Sequence, residues 1–281
     1  MKKITVLVLA LVLTLALAAC GAKKTTIQIA VPNDATNEAR ALLLLEANGI
    51  IKLKDGAGIT ATKNDIAENP YNVEIVEAEA AQLPNLLKDV DYAVINTNYA
   101  INAGLNPVKD AFVMEGSASE YVNILVCKEG NQNTDKVKAV VAALLSKEVA
   151  NYISNTYNGS VVSVAENPTN GFDATVNYDA LKGTTISVAC SPSPHAEILD
   201  IVKGTLAQKG ITLDIQTYND YVVPNNVVED GTVDLNYFQH VPYLNDFNAQ
   251  NGTHLVSVAG VHVEPMGLYG GKQTSLDALK G

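Results

Sequence analysis

The chain has 281 residues, of which 47% are hydrophobic and 17% charged, and a formal net charge of −11. That composition excludes a disordered or fibrous protein and leaves room for two domains with cores of their own. The acidic balance argues against nucleic acid and anionic membrane surfaces as partners.

Lys2 and Lys3, the apolar run from Ile4 to Ala19 and the ending Leu-Ala-Ala-Cys at Cys20 form a secretory signal over residues 1–19. The run is too short for a comfortable membrane span, and it has the charged start and small-residue end of an exported chain. Removing Lys2 and Lys3 leaves 17 basic residues against 30 acidic, a net charge of −13. Residues 20–24 read as a tether.

Beyond the tether, "IQIAV" reads as a buried strand and "PNDATNEARALLLLEANG" as a turn entering a helix, with side-chain oxygens at Asp34, Thr36 and Asn37 for the N-cap and Gly49 to close it. "VEIVEAE" is a second strand, "AAQLPNLLKD" a helical segment, and "YAVINTNYA" a third strand with its following loop. "YVNILVCKEG" is another strand, and residues 134–157 follow as a helix. Residues 165–179, with Pro, Gly and three Asn, carry no helical or strand period and read as a linker. Strand "TTISVA", loop "CSPSP", helix "HAEILDIVKGTLAQKG", strand "ITLDIQTY", a helical piece near "VPNNVVEDG", strand "VDLNYF", helix "HVPYLNDFNAQNG" and strand "HLVSVA" complete a second unit. The alternation predicts an α/β fold with parallel strands in two lobes. One covers residues 25–120. The other covers 121–281, including a linker at 161–183 and a terminal hinge segment at 267–281. Cys127 and Cys190 each end an apolar strand and read as buried thiols, although export permits a disulfide between them.

A phrase repeats. "NYDALKG" leads into "TTISVACSPS", and "SLDALKG" at 275–281 would lead into "TTIQIAVPND" at 25 if the two were joined. This predicts a circular permutation, with residues 184–281 preceding 25–160 in the unpermuted order, and it requires residues 275–281 to lie beside 25–28.

In that order the phrases "SPSPHAEIL", "YNDYVVPN", "DLNYFQHVPYL", "HVEPMGLY", "SLDALKG", "VPNDATNEARALLLLEANGIIKLKDG", "ENPYNVEIVEAEAAQLP", "AVINTNYA" and "SEYVNILV" resemble the methionine-binding lipoproteins of the NlpA or MetQ type, the substrate-binding components of ABC importers. The resemblance implies a two-lobed periplasmic-binding-protein-like fold, type II-like, that closes on its ligand. It also implies lipidation of Cys20 at a lipobox, anchoring to the outer face of the bacterial cell membrane, and delivery to an ABC permease with a cytoplasmic ATPase. On that plan the permutation opens one hinge crossing near 267–281 and leaves "SASEYVNILV" as the only covalent crossing, with a looser hinge.

The site residues follow from chemistry and resemblance together. Arg40 is the only arginine in the chain. A guanidinium grips a carboxylate through two parallel hydrogen bonds, and a helix N-terminus beside it favours an anion. The resemblance assigns Arg40 to the ligand's α-carboxylate. Asn96 and Asn123, which donate and accept, suit a zwitterion, with Asn98 a weaker candidate. Tyr221, Phe238 and His240 resemble the family's side-chain pocket, where rings and an imidazole suit a thioether; Tyr237 and Tyr243 are left interchangeable with them. Four histidines, His195, His240, His254 and His262, carry no ligand-pair spacing, and only His262 and Glu264 share a strand face, so no metal site is expected. No cofactor motif and no nucleophile elbow, P-loop or zinc-protease signature is present, so the chain is not read as an enzyme. The function expected is capture of methionine, in the L form. The alternatives are a methionine-containing dipeptide or related amino acid, or a lipid-anchored surface or adhesion protein with a degenerate pocket.

Overall fold

The computed structural model describes residues 26–116 and 121–279. The signal, Cys20, the tether and residues 117–120 lie outside the described residues. No helix among those described is long and apolar enough to cross a membrane.

In chain order the first part runs β1 (Ile27–Pro32), α1 (Ala35–Ala47), β2 (Lys52–Leu53), β3 (Ile66–Glu68), β4 (Val73–Ala78), α2 (Leu83–Leu86), β5 (Tyr92–Ile95), α3 (Thr97–Asn102), α4 (Pro107–Asp110) and β6 (Ala111–Met114). The second runs β7 (Val122–Lys128), α5 (Asp135–Leu144), α6 (Lys147–Tyr157), β8 (Val162–Ser163), α7 (Tyr178–Leu181), β9 (Thr185–Cys190), α8 (Glu197–Ala207), β10 (Thr212–Thr217), α9 (Val223–Glu229), β11 (Leu235–His240), α10 (Val241–Asn251) and β12 (Leu255–Val263); β13 (Gly267–Gly270) follows.

Two larger sheets result. The first has the order β4-β1-β5-β13-β6, and the second β10-β9-β11-β7-β12-β8. In each, the strands at one side pair in parallel and β13 or β7 pairs antiparallel. The central strands β1, β5, β7 and β11 are buried on both faces, as strands covered by helices on both sides are. Along β7, Leu125 and Cys127 enter the core beneath α5, α6 and α8, while Ile124 and Val126 enter the core beneath α9 and α10. Cys127 and Cys190 share the first of these cores as free thiols, and burial raises them to about 11 and about 12.

Helix α1 starts where Asp34 accepts the backbone N–H of Asn37, and it closes before Gly49, whose φ of +68° suits a residue without a side chain. Leu42 and Leu45 are fully buried further along it, which holds its first two turns, with Asn37 and Arg40, at the C-terminal edge of the first sheet.

Several expectations are corrected. Residues 97–102 are helical rather than loop, with Asn96 at the N-cap position. Residues 134–157 form two helices, because Ser146 caps a new one through the backbone N–H of Val149. The linker contains β8 and α7 and is packed down: Thr169 bonds across to Leu145 and Lys147. The largest correction concerns the terminal segment. β13 pairs with β5 and β6 of the first sheet, not with the second lobe. The chain therefore crosses between lobes twice, once between Met114 and Val122 and once between Val263 and Gly267. The expected single crossing does not hold, and the looser hinge expected from it loses its ground. The cut implied by the permutation falls inside the first lobe instead, where Leu279 lies in the same core as Ile27, with Leu276 and Ala278 packed against it. The proximity that a permutation requires is thus met as far as residue 279.

Candidate functional site

A small cavity lies between the lobes, lined by residues from both, including Asn37, Arg40, Asn96, Asn98, Asn123 and Glu264. It stands at the carboxyl ends of β1, β5 and β11, where α/β sheets place ligands.

One end is polar. Asn96 gives its side-chain NH2 to Asn37 Oδ1 at 2.9 Å, and its own Oδ1 is buried without a partner. Asn98 accepts the Tyr221 hydroxyl at 2.7 Å and has a buried, unpartnered Nδ2. Asn123 Oδ1 lies 2.9 Å from His195 Nε2. Arg40 is buried here, yet its fork is occupied. Nε and Nη2 donate to the Glu115 carboxylate at 2.7 and 2.5 Å, Nη2 also donates to the Glu264 carbonyl at 2.7 Å, and the guanidinium stands 4.5 Å over the Tyr121 ring. The expected two-bond grip on a ligand carboxylate is therefore replaced by a charge at the polar end that is braced by the crossing segments.

The other end is aromatic. Tyr221, Phe238 and Tyr243 lie with ring centroids 5.8 to 6.1 Å apart, and His240 packs edge-on against Tyr121 at 5.0 Å. Burial, and then the Arg40 charge, push His240 well below its ordinary pKa. Its Nδ1 is buried and unpartnered. Tyr243 belongs to this end. Tyr237 does not, because it lies in the core of the second lobe, where its hydroxyl meets His262 Nδ1 at 2.5 Å.

Behind the polar end is a group that spacing did not reveal. His262 Nε2 lies 2.7 Å and His195 Nε2 3.4 Å from Glu264 Oε1. These three groups have the composition of a metal triad and lie within 4.8 Å of one another. Their hydrogen bonds are nevertheless consistent without an ion. Tyr237 donates to His262 Nδ1, and both Nε2–H groups donate to acceptors. Burial holds both imidazoles neutral, with pKa about 3, and raises Glu264, against the pull of His195 and Arg40. Asn37, Thr97, Gln239 and Glu264 line the site without having been singled out. Asn37 sits one turn before Arg40 and Thr97 next to Asn96, so their neighbourhood was the one usable signal.

All six predicted ligand residues are thus brought to one cleft. Two α/β lobes joined by paired crossings enclose one cleft with a polar and an aromatic end. The profile of the NlpA lipoprotein family matches residues 23–165 and 186–281, and the chain belongs to that family. It is 50% identical over 137 residues to the D-methionine-binding lipoprotein MetQ of Salmonella typhimurium, covering 48% of this chain and 51% of that protein. It is 47% identical over 137 residues to the membrane lipoprotein TpN32 of Treponema pallidum, covering 49% and 51%. The chain spans about half the length of the curated relatives it matches. Among solved structures, that of the methionine-binding protein MetQ is 48% identical with a TM-score of 0.47, covering 48% of this chain and 56% of that one. A lipoprotein from Ruminococcus gnavus is 57% identical with a TM-score of 0.48, covering 49% and 58%.

Proposed function

We propose that the protein captures methionine between its lobes and delivers it to an ABC permease with a cytoplasmic ATPase, while held at the outer face of the membrane by a lipid on Cys20. The observation that carries this is the division of one cleft into an end with an unpaired amide donor and an unpaired amide acceptor beside Arg40, and an end of three aromatic rings and an imidazole. A zwitterionic head matches the first and a polarisable thioether the second. The names of the curated relatives support the same ligand. Arg40, Asn96 and Asn123 take the head in this reading; Tyr221, Phe238 and His240 take the side chain. No step of it is catalytic.

A thermal-shift screen of amino acids and methionine dipeptides on refolded protein tests the assignment, since a ligand that binds only the folded state raises the melting temperature by mass action. L-methionine or D-methionine is expected to give the largest shift. A larger shift with a dipeptide or another amino acid redirects the ligand, and no shift with any favours a surface protein with a retired pocket.

A further inference from the structure

Asparagine donates from one end of its amide and accepts at the other, so an asparagine in a binding site reads opposite chemistry depending on which end faces the ligand. Two of the cleft asparagines are each backed by a chain of polar contacts that starts at a carboxylate: hydrogen bonds throughout for the first, and a 3.4 Å charge contact followed by a hydrogen bond for the second.

The first chain starts at Asp34. Its carboxylate only accepts, so Asn37 must turn its NH2 toward it, and Asn37 Nδ2 lies 2.9 and 3.1 Å from the two Asp34 oxygens. Asn37 Oδ1 is thereby turned to Asn96, which must present its own NH2 at 2.9 Å. That leaves Asn96 Oδ1, buried and without a protein partner, as an acceptor on the cleft side.

The second chain starts at Glu264. His195 Nε2 lies 3.4 Å from Glu264 Oε1 and 2.9 Å from Asn123 Oδ1. A nitrogen beside a carboxylate oxygen must carry its hydrogen, because a lone pair there is repelled. His195 Nε2 therefore donates, Asn123 turns Oδ1 to it, and Asn123 Nδ2 is left as a donor on the cleft side. His262 holds the same Glu264 oxygen at 2.7 Å, which fixes the start of this chain.

Building on the methionine reading, we propose that Asp34 with Asn37, and Glu264 with His195, are positioning residues that fix the direction in which a zwitterion lies in the cleft: ammonium toward Asn96 Oδ1, carboxylate toward Asn123 Nδ2. Asp34 and His195 do not line the cavity that receives the ligand. Their effect is on which end of each amide it meets.

The test is a set of variants against three ligands: methionine, its des-amino analogue lacking the ammonium, and methioninol lacking the carboxylate. Asp34→Asn keeps the helix cap, since asparagine caps as well as aspartate, but frees Asn37 to turn over. It is expected to weaken methionine and methioninol about fivefold, the worth of one hydrogen bond, and to leave the des-amino analogue within about twofold. His195→Leu is expected to weaken methionine and the des-amino analogue and to spare methioninol, while His195→Gln, which restores a donor, recovers the loss. Equal weakening of all three ligands by each variant, or the crossed pattern, overturns the proposal. Neutron diffraction of the unliganded wild-type protein gives a second decision that holds even if methionine does not bind. Asn96 Oδ1 and Asn123 Nδ2 must face the cleft, and the opposite orientation of either amide overturns the proposal whatever the ligand proves to be.

Discussion

Tyr221 of the second lobe donates its hydroxyl hydrogen to Asn98 Oδ1 of the first at 2.7 Å. The bond exists only when the lobes are together, so it belongs to closure rather than to the folding of either lobe. Tyr221→Phe leaves the Asn98 oxygen buried without a donor, at a cost of about 1–3 kcal/mol. That cost is expected in ligand affinity, about tenfold by calorimetry, with the urea midpoint nearly unchanged. A large fall in the urea midpoint with unaltered affinity contradicts the assignment.

Arg40 and Glu115 form a pair that is 4% and 14% exposed, and Glu115 also accepts the Met266 backbone N–H at 2.9 Å. The pair thus ties α1 to both crossing segments. Glu115→Ala leaves the Arg40 charge buried with only part of its hydrogen bonds, and breaking buried pairs in this way costs about 3–5 kcal/mol. A loss of about 3 kcal/mol in unfolding free energy is expected from urea titration. A loss below about 1 kcal/mol shows that solvent reaches the pair.

Three buried histidines make stability depend on pH. His195 and His262 are lowered to about 3, and His240 well below its ordinary value, chiefly by burial. The unfolded chain takes up protons at these side chains near pH ~6.5 while the folded chain does not. Their contribution is complete above that pH and is lost as pH falls below it, by about 1.4 kcal/mol per unit for each histidine. Glu264, whose carboxyl is raised by burial, acts in the opposite sense. The folded chain holds that proton to a higher pH than the unfolded chain does, so its share declines as pH rises from the ordinary carboxylate range. Urea midpoints at pH 7.5, 6.5 and 5.5 are expected to fall steadily, and the fall should be shallower in His195→Gln. A flat profile contradicts neutral imidazoles in the fold.

With both crossings present and Leu279 packed in the core of the first lobe, a permutation at this point is expected to leave the hinge alone. A rearranged protein carrying residues 184–281 followed by 25–164 is expected to bind methionine with affinity within about threefold of the original, less than one ordinary hydrogen bond. A tenfold difference by calorimetry shows that the bridge at 165–183 acts on closure.

The elements were legible wherever a local pattern specifies them. β1, α1, β7 and β9 follow from apolar runs, caps and turn residues close together in sequence. The cleft residues were legible too, but through resemblance, since an asparagine after a strand is locally a turn former. What sequence did not disclose was decided by distant partners. β13 is a short Gly-rich strand whose membership of the first sheet depends on β5 and β6, more than 150 residues earlier. Glu115 reaches Arg40 across 75 positions and His195 reaches Asn123 across 72, so no spacing rule connects them. The triad of His195, His262 and Glu264 was missed for the same reason: His195 arrives from a different strand and loop.

Titration calorimetry of methionine into refolded protein carrying Cys20→Ala, with and without Arg40→Ala, tests the central claim most directly. Saturable heat with one site per chain, weakened by at least about a hundredfold in Arg40→Ala because the carboxylate end loses its one cation, is the predicted result. Absence of heat in a protein that circular dichroism shows to be folded, or undiminished binding without Arg40, contradicts it.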